Sequence, residues 1–93
     1  MIACKGNQCA VQGPITADNV VSLLEQGARQ FTGPGVTVDL SGVTDVDSSA
    51  LSLLLEWRRA AARAGREIHY RNLPASMRSL AELYGVTELL SED

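Results

Sequence analysis

The sequence has little of several features that particular functions require. It contains one histidine, a single lysine (Lys5) and 4 % aromatic residues, and its net charge is −3. Proteins that bind nucleic acid through its phosphates usually carry a basic excess, so this balance argues against nucleic-acid binding. No apolar run reaches the ~20 residues that a transmembrane helix needs, which argues against membrane insertion. Residues 1–13 lack the basic and apolar regions of a secretory signal, so we expect a cytoplasmic location.

Motifs of catalysis and metal binding are also missing from the sequence. It has no Gly-rich loop ending in Gly-Lys-Ser/Thr, no HExxH and no G-x-S-x-G. Cys4 and Cys9 are too few ligands for a zinc site, and we expect free thiols in or near a strand. His69 lies in an alternating segment, where a solvent-exposed or hydrogen-bonded role is favoured over a catalytic one. We therefore expect a binding module with no catalytic residues, no metal and no cofactor.

The remaining composition is that of an ordinary globular domain. The chain has 93 residues, of which 45 % are hydrophobic and 20 % charged. This length suffices for one core, so we expect a single domain over residues 1–93.

Hydrophobic periodicity predicts strands and helices in the order β(β)-α-β-α-β-α. We expect one or two strands in residues 1–12 with a turn at Gly6-Asn7, a helix capped by Thr16 and ending before Gly33, a strand at residues 36–40 buried on both faces, a helix over about residues 48–64, a strand around residues 68–71, and a helix from about residue 72 to Gly85. A strand, a helix of this length and a second strand form a crossover with parallel strands. The predicted fold class is α/β, a small mixed sheet of about four strands packed with about three to four helices.

Two features of the predicted helices allow more than one interpretation. Gly27 lowers helix stability by about 1 kcal/mol relative to alanine, so it marks either an early helix end or a close packing contact. The helix over residues 48–64 is apolar around more than half of its circumference. Its residues Leu53 and Trp57 are expected to anchor a partner, because aromatic residues concentrate binding energy at interfaces. The alternative for Trp57 is packing under the first or third helix.

The start of the longest helix is the one segment that resembles a functional site. Thr44, Asp45, Asp47, Ser48 and Ser49 crowd a helix N-terminus, where free backbone N–H groups need one capping side chain. Either Asp47 or Ser48 is the cap, and the remaining polar groups are available to a partner. A phosphate on Ser48 would suit the helix end but would face the two carboxylates. A nucleophilic role for Ser48 is disfavoured, because its one candidate base, His69, is predicted in a separate strand.

These residues carry a resemblance to a known family. Residues 36–43 followed by 46–51 resemble the signature of a STAS domain, in which a strand ending in Asp-Leu-Ser precedes Asp-Ser-Ser-Ala-Leu at the start of the longest helix. Residues 13–16 are similar to the family's entry to its first helix. Residues 71–86 are similar to the ending of the MlaB-type branch of this family.

The resemblance implies a fold and two alternative functions. Similarity to MlaB-type proteins implies that the chain is a non-catalytic cytoplasmic subunit. Such a subunit binds the ATPase (MlaF-type) of an inner-membrane ABC transporter for phospholipids, and through it the permease. Such a transporter maintains outer-membrane lipid asymmetry. In anti-sigma-factor antagonists, it implies that Ser48 is phosphorylated by an anti-sigma kinase, which would be the partner. The N-terminal strands are short, and Thr16 stands where antagonists commonly have an acidic residue; both departures disfavour an orthodox antagonist. Ala50, where many members have glycine, is a mild departure from the family.

Overall fold

The computed structural model describes residues 1–90, apart from the side chain of Leu89, and within them it contains four strands, three α-helices and a short 3₁₀ helix. The strands are β1 (Ile2–Lys5), β2 (Gln8–Ile15), β3 (Gly35–Val46) and β4 (Glu67–Arg71); the helices are α1 (Val20–Gln30), α2 (Ser48–Arg63), α3 (Ala75–Leu83) and the 3₁₀ helix Thr87–Leu90. The sheet order is β1-β2-β3-β4. The β1–β2 pair is antiparallel, and β2–β3 and β3–β4 are parallel. The predicted mixed sheet and the predicted crossover through the longest helix, from β3 to β4, are therefore confirmed.

The expectation that the strand at residues 36–40 is buried on both faces is wrong. Val36, Val38 and Leu40 are buried, whereas Thr37 and Asp39 between them are partly exposed. The same alternation is found along β4. One face of the sheet therefore packs on the helices in a single core, while the opposite face lies at the surface.

The first helix begins later than predicted. Thr16 does not cap α1 directly but opens a turn, in which its carbonyl oxygen accepts from the N–H groups of Asn19 and Val20 at 3.1 and 3.0 Å. Its hydroxyl accepts from the N–H of Asp18 at 3.3 Å. The helix then starts at Val20. Residues 17–19 form a turn that leads directly into α1, whose N-cap is Asn19.

The prediction of free thiols is also wrong, because Cys4 and Cys9 form a disulfide. The predicted turn at Gly6-Asn7 does join β1 to β2, and it places Cys4 directly opposite Cys9 in the antiparallel ladder. Two cysteines facing each other across a hairpin have the proximity that a disulfide needs. The hairpin register, and not the expected compartment, decides their pairing in this structure.

Helix α2 lies at the centre of the fold and contacts α1, β4 and α3. Its backbone is tied to the sheet where the buried Tyr70 hydroxyl donates to the carbonyl oxygen of Leu54 at 2.6 Å. Burial raises the pKa of Tyr70, because the ionised phenolate would lose its hydration. The central position of α2 fixes the direction in which its first residues project.

Candidate functional site: the N-terminus of the longest helix

The N-cap of α2 is Asp47, which decides between the two capping alternatives. Its Oδ1 accepts from the backbone N–H of Ser49 at 2.8 Å, the bond expected of an N-cap carboxylate. Its backbone is extended, with φ −126° and ψ −172°. The carboxylate thus satisfies a helix-end N–H that would otherwise lack a partner.

Asp47 also joins α2 to the connection between β2 and α1. Its Oδ2 accepts from the backbone N–H of Ala17 at 3.1 Å, and its own N–H donates to the carbonyl oxygen of Ile15 at 3.3 Å. The N–H groups of Ala17 and Ser49 hold the pKa of Asp47 below its usual range, because they stabilise the ionised form. The carboxylate therefore stays ionised and holds two loops together near neutral pH.

Because Asp47 is the N-cap of the helix, the Ser48 side chain is not needed to cap it. Ser48 is the first residue of α2 and is exposed to solvent. Its hydroxyl has no hydrogen-bond partner among residues 1–90. The positive end of the helix dipole lies at the same place and favours negative charge there. The hydroxyl is consequently free to contact a partner or to accept a modification.

The neighbouring polar residues lie on the same loop but differ in exposure. Thr44 and Asp45 are exposed at the end of β3, whereas Ser49 is partly buried and has its N–H bonded to Asp47. A phosphate on Ser48 would add about −1.5 to −2 charge close to the two carboxylates. Such a phosphate would turn a modestly acidic surface into a strongly acidic one.

Leu53 and Trp57 are not part of this surface, and their prediction as partner anchors is corrected by their burial. Leu53 is 1 % exposed and Trp57 3 % exposed. The indole of Trp57 packs edge-on against Phe31 at the end of α1, with ring centroids 4.9 Å apart. The alternative of packing under the first helix is thus the right one for Trp57. A side chain already surrounded by its own core has no surface to offer a partner.

One neighbouring segment of the site was missed from the sequence. Ala17 and Asp18, in the connection between β2 and α1, are exposed, and the Ala17 N–H bonds to Asp47. Ile15 and Val46 pair in register at the ends of parallel strands. Since the carboxyl ends of adjacent parallel strands meet at one edge, the two loops that follow them were bound to be neighbours. The predicted β-α-β order contained this signal.

His69 lies far from Ser48 in the sheet. It pairs in register with Thr37 near the start of β3, whereas Ser48 follows the far end of that strand. The strand between them extends roughly 30 Å at the usual rise per residue.

In the part of the chain that the structure describes, no helix is long and apolar enough to cross a membrane.

Comparison with known proteins relates this geometry to one family. A family model described as an MlaB-type STAS domain matches residues 4–91. A comparison with curated protein sequences finds no match.

Solved structures share the fold. The anti-sigma factor antagonist SpoIIAA in its unphosphorylated form matches with a TM-score of 0.75 and 13 % identity over 100 % of this chain and 86 % of that one. Its phosphorylated form, from Bacillus, matches with a TM-score of 0.69 and 13 % identity, over 100 % of this chain and 89 % of that one. A sulfate transporter family protein from Wolinella succinogenes matches with a TM-score of 0.66 and 16 % identity, over 91 % of this chain and 70 % of that one. The structure of Mglu matches with a TM-score of 0.64 and 19 % identity over 81 % of this chain, and the match covers 20 % of the Mglu chain. At these identities the likeness shows the fold alone.

Proposed function

Since the chain belongs to the MlaB-type STAS family, whose domains are generally regulatory and interaction modules, we propose that it is a non-catalytic subunit of a phospholipid ABC transporter. It binds the ATPase subunit (MlaF-type) on the cytoplasmic side of the inner membrane and reaches the permease only through it. The observation that carries the proposal is the exposed Ser48 at the start of α2, freed from capping by Asp47.

The contact surface consists of Thr44, Asp45, Asp47, Ser48 and Ser49, with Ser48 at its centre. It combines a rigid helix end with acidic side chains, so the matching surface of the ATPase should be basic or rich in hydrogen-bond donors. Leu53 and Trp57 are residues of α2 that pack into the core, so they hold the helix in place and make no contact with the partner.

Binding to the ATPase tests this proposal through a charge placed at the centre of the surface. Ser48→Arg puts a bulky cation at the contact, and Ser76→Arg is its matched control, because Ser76 is also an exposed serine in the first turn of a helix. We expect co-purification of the chain with the ATPase to be lost in Ser48→Arg and kept in Ser76→Arg. Equal binding by both variants, with circular dichroism showing both folded, would contradict the proposed surface.

A second function is favoured by the same exposed hydroxyl. SpoIIAA, an anti-sigma factor antagonist with a known phosphorylated form, shares the fold over the whole of this chain. In this alternative, an anti-sigma kinase binds the unmodified chain, and phosphorylation of Ser48 abolishes binding by adding charge beside Asp45 and Asp47.

Mass spectrometry after incubation with the cognate kinase and ATP separates the two functions. One phosphate on Ser48, absent in Ser48→Ala, supports the antagonist. An unmodified Ser48, together with binding to the ATPase, supports the transporter subunit.

A further inference from the structure

A disulfide joins the two strands of the N-terminal hairpin. Cys4 lies in β1 and Cys9 in β2, and the antiparallel ladder places them directly opposite each other. Disulfides are rare in cytoplasmic proteins, and those that occur there are usually transient, with a catalytic or redox-sensing role. On the cytoplasmic side of the membrane, where the proposed function places this chain, the bond meets a reducing pool of thiols. Whether it opens there depends on how the hairpin holds the two sulfurs.

The hairpin is held by contacts that do not involve sulfur. On one side of the disulfide, the Met1 ammonium donates to the Gln12 carbonyl oxygen at 3.0 Å, and the Gln12 N–H donates to the Met1 carbonyl oxygen at 2.9 Å. At the turn, the Asn7 carbonyl oxygen accepts the N–H of Thr37 in β3 at 2.9 Å. Breaking the S–S bond leaves these hydrogen bonds in place. The two thiols of the reduced chain therefore stay opposite each other.

The two cysteines differ in their access to solvent. Cys9 is 4 % exposed and lies in the core, on a strand between β1 and β3. Cys4 is half-buried and lies on β1, an edge strand of the sheet. Thiol–disulfide exchange requires a thiolate to reach one sulfur of the bond. A small thiolate from solution reaches Cys4 more easily, so the buried Cys9 is the group that leaves.

We propose that Cys4 and Cys9 form a reversible redox site, which a small cytosolic thiol of the glutathione class opens and closes through Cys4 while the domain stays folded. In reduction, the small thiolate attacks Cys4 Sγ, the bond to Cys9 breaks, and Cys9 leaves as a thiolate that takes up a proton. A second small thiolate attacks the small thiol's sulfur in the mixed disulfide, which releases Cys4 to be protonated in turn. Two small thiols are oxidised to one disulfide as the protein disulfide gains two electrons.

Oxidation follows the reverse path, with the small-molecule disulfide as the electron acceptor. The Cys4 thiolate attacks it, which forms a mixed disulfide on Cys4 and releases one small thiol. Cys9 then attacks Cys4 Sγ as a thiolate and displaces the second small thiol. By thermodynamic linkage, folding favours closure of the bond by the same factor as the bond favours folding. The cysteines are 5 residues apart, and a loop of this size gives a factor of about thirty.

The inference rests on the proposed function only for the cytoplasmic location. The disulfide lies near the start of β2, whereas the proposed protein contact lies beside the end of that strand, where Ile15 pairs with Val46. The test below uses the purified chain and glutathione without the ATPase. A failure of ATPase binding and a failure of the redox site are therefore separate results.

A redox titration of the purified chain in mixtures of reduced and oxidised glutathione tests the proposal. Alkylation with iodoacetamide and mass spectrometry count the free thiols, and circular dichroism reports whether the chain is folded. We expect excess reduced glutathione to open the bond in the folded chain and oxidised glutathione to restore it. The equilibrium constant for closure should be about thirtyfold larger in the folded chain than in urea.

Single-cysteine variants identify the sulfur that reacts first. Cys9→Ala leaves Cys4 as the one thiol, and Cys4→Ala is the matched control that leaves Cys9. Oxidised glutathione should form a mixed disulfide with Cys9→Ala at least about tenfold faster than with Cys4→Ala, because a buried thiol is inert. If Cys9→Ala does not fold, Cys9→Val replaces it, because valine suits a buried strand position.

Three results would overturn the proposal. The first is a bond that reduced glutathione opens only in urea, because the disulfide would then be a permanent cross-link. The second is an equal equilibrium constant for closure in the folded and unfolded chain, which would show that the ladder does not hold the thiols together. The third is an equal rate of mixed-disulfide formation in the two single-cysteine variants, which would show that reaction does not begin at Cys4.

Discussion

The contact between Gly27 and Trp57 predicts a substitution whose effect on stability changes sign with its surroundings. In an isolated helix, Gly→Ala stabilises by about 1 kcal/mol. Here a Cβ on Gly27 would lie 2.7 Å from Cε2 of the Trp57 indole and 3.0 Å from Cε2 of Phe31. Trp57 is buried and packed against Phe31, so it can move only by disturbing the core. Overpacking of this kind costs about 1–3 kcal/mol. We therefore expect Gly27→Ala to destabilise the protein by about 1 kcal/mol.

The sign should reverse when the indole is removed. In a Trp57→Leu background the added methyl group has space, and Gly27→Ala should raise the free energy of unfolding by up to about 1 kcal/mol. Urea denaturation of the wild type, both single variants and the double variant gives the four values of this cycle. A Gly27→Ala effect that is favourable in both backgrounds, or equal in both, would refute the argument that Trp57 requires glycine at this position.

Three further predictions concern single interactions. The N–H groups that hold the pKa of Asp47 below its usual range favour the folded state above about pH 4, and this contribution is lost as the pH falls through the folded-state pKa. Asp47→Asn should therefore make the free energy of unfolding fall less steeply in acid than it does in the wild type. Equal pH dependence of the free energy of unfolding in variant and wild type would contradict this. Reduction of the Cys4–Cys9 disulfide, whose cysteines are 5 residues apart, should lower the free energy of unfolding by about 2 kcal/mol; an unchanged urea midpoint with dithiothreitol would speak against it. Tyr70→Phe removes the hydroxyl that donates to the Leu54 carbonyl and should cost about 1 kcal/mol, which thermal denaturation measures.

The elements of the fold were predictable because their signals are local. Hydrophobic periodicity placed the central strand and all three helices, and the length of the helix between β3 and β4 required these two strands to be parallel. Gly27 was open to two interpretations, and the structure shows that it is a close packing contact within α1. The error about β3 came from its apolar content, which does not reveal whether helices cover one face of the sheet or both.

Which side chains of α2 face a partner could not be decided from the helix alone. An apolar surface around more than half of the helix accommodates α1, α3 and the sheet, and it would equally accommodate another protein. Trp57 is buried because α1 supplies Gly27 and Phe31 opposite it, a contact between residues far apart in sequence. Cys4 and Cys9 show the opposite case. Their pairing was implied by the predicted hairpin turn, and the general rule about cytosolic thiols obscured it.

The availability of Ser48 follows from a tertiary contact that capping preferences do not contain. Both Asp47 and Ser48 are suitable N-cap residues. Asp47 takes the position while its second oxygen also accepts the N–H of Ala17, 30 residues earlier in the chain, so one carboxylate serves two loops. Ser48 is left exposed on the first turn of a helix that the core holds through its buried residues Ala50, Leu51, Leu53, Leu54 and Trp57. A substitution there should therefore change binding without changing the fold. This is the physical reason why Ser48→Arg, compared with Ser76→Arg, can distinguish a lost contact from a lost structure.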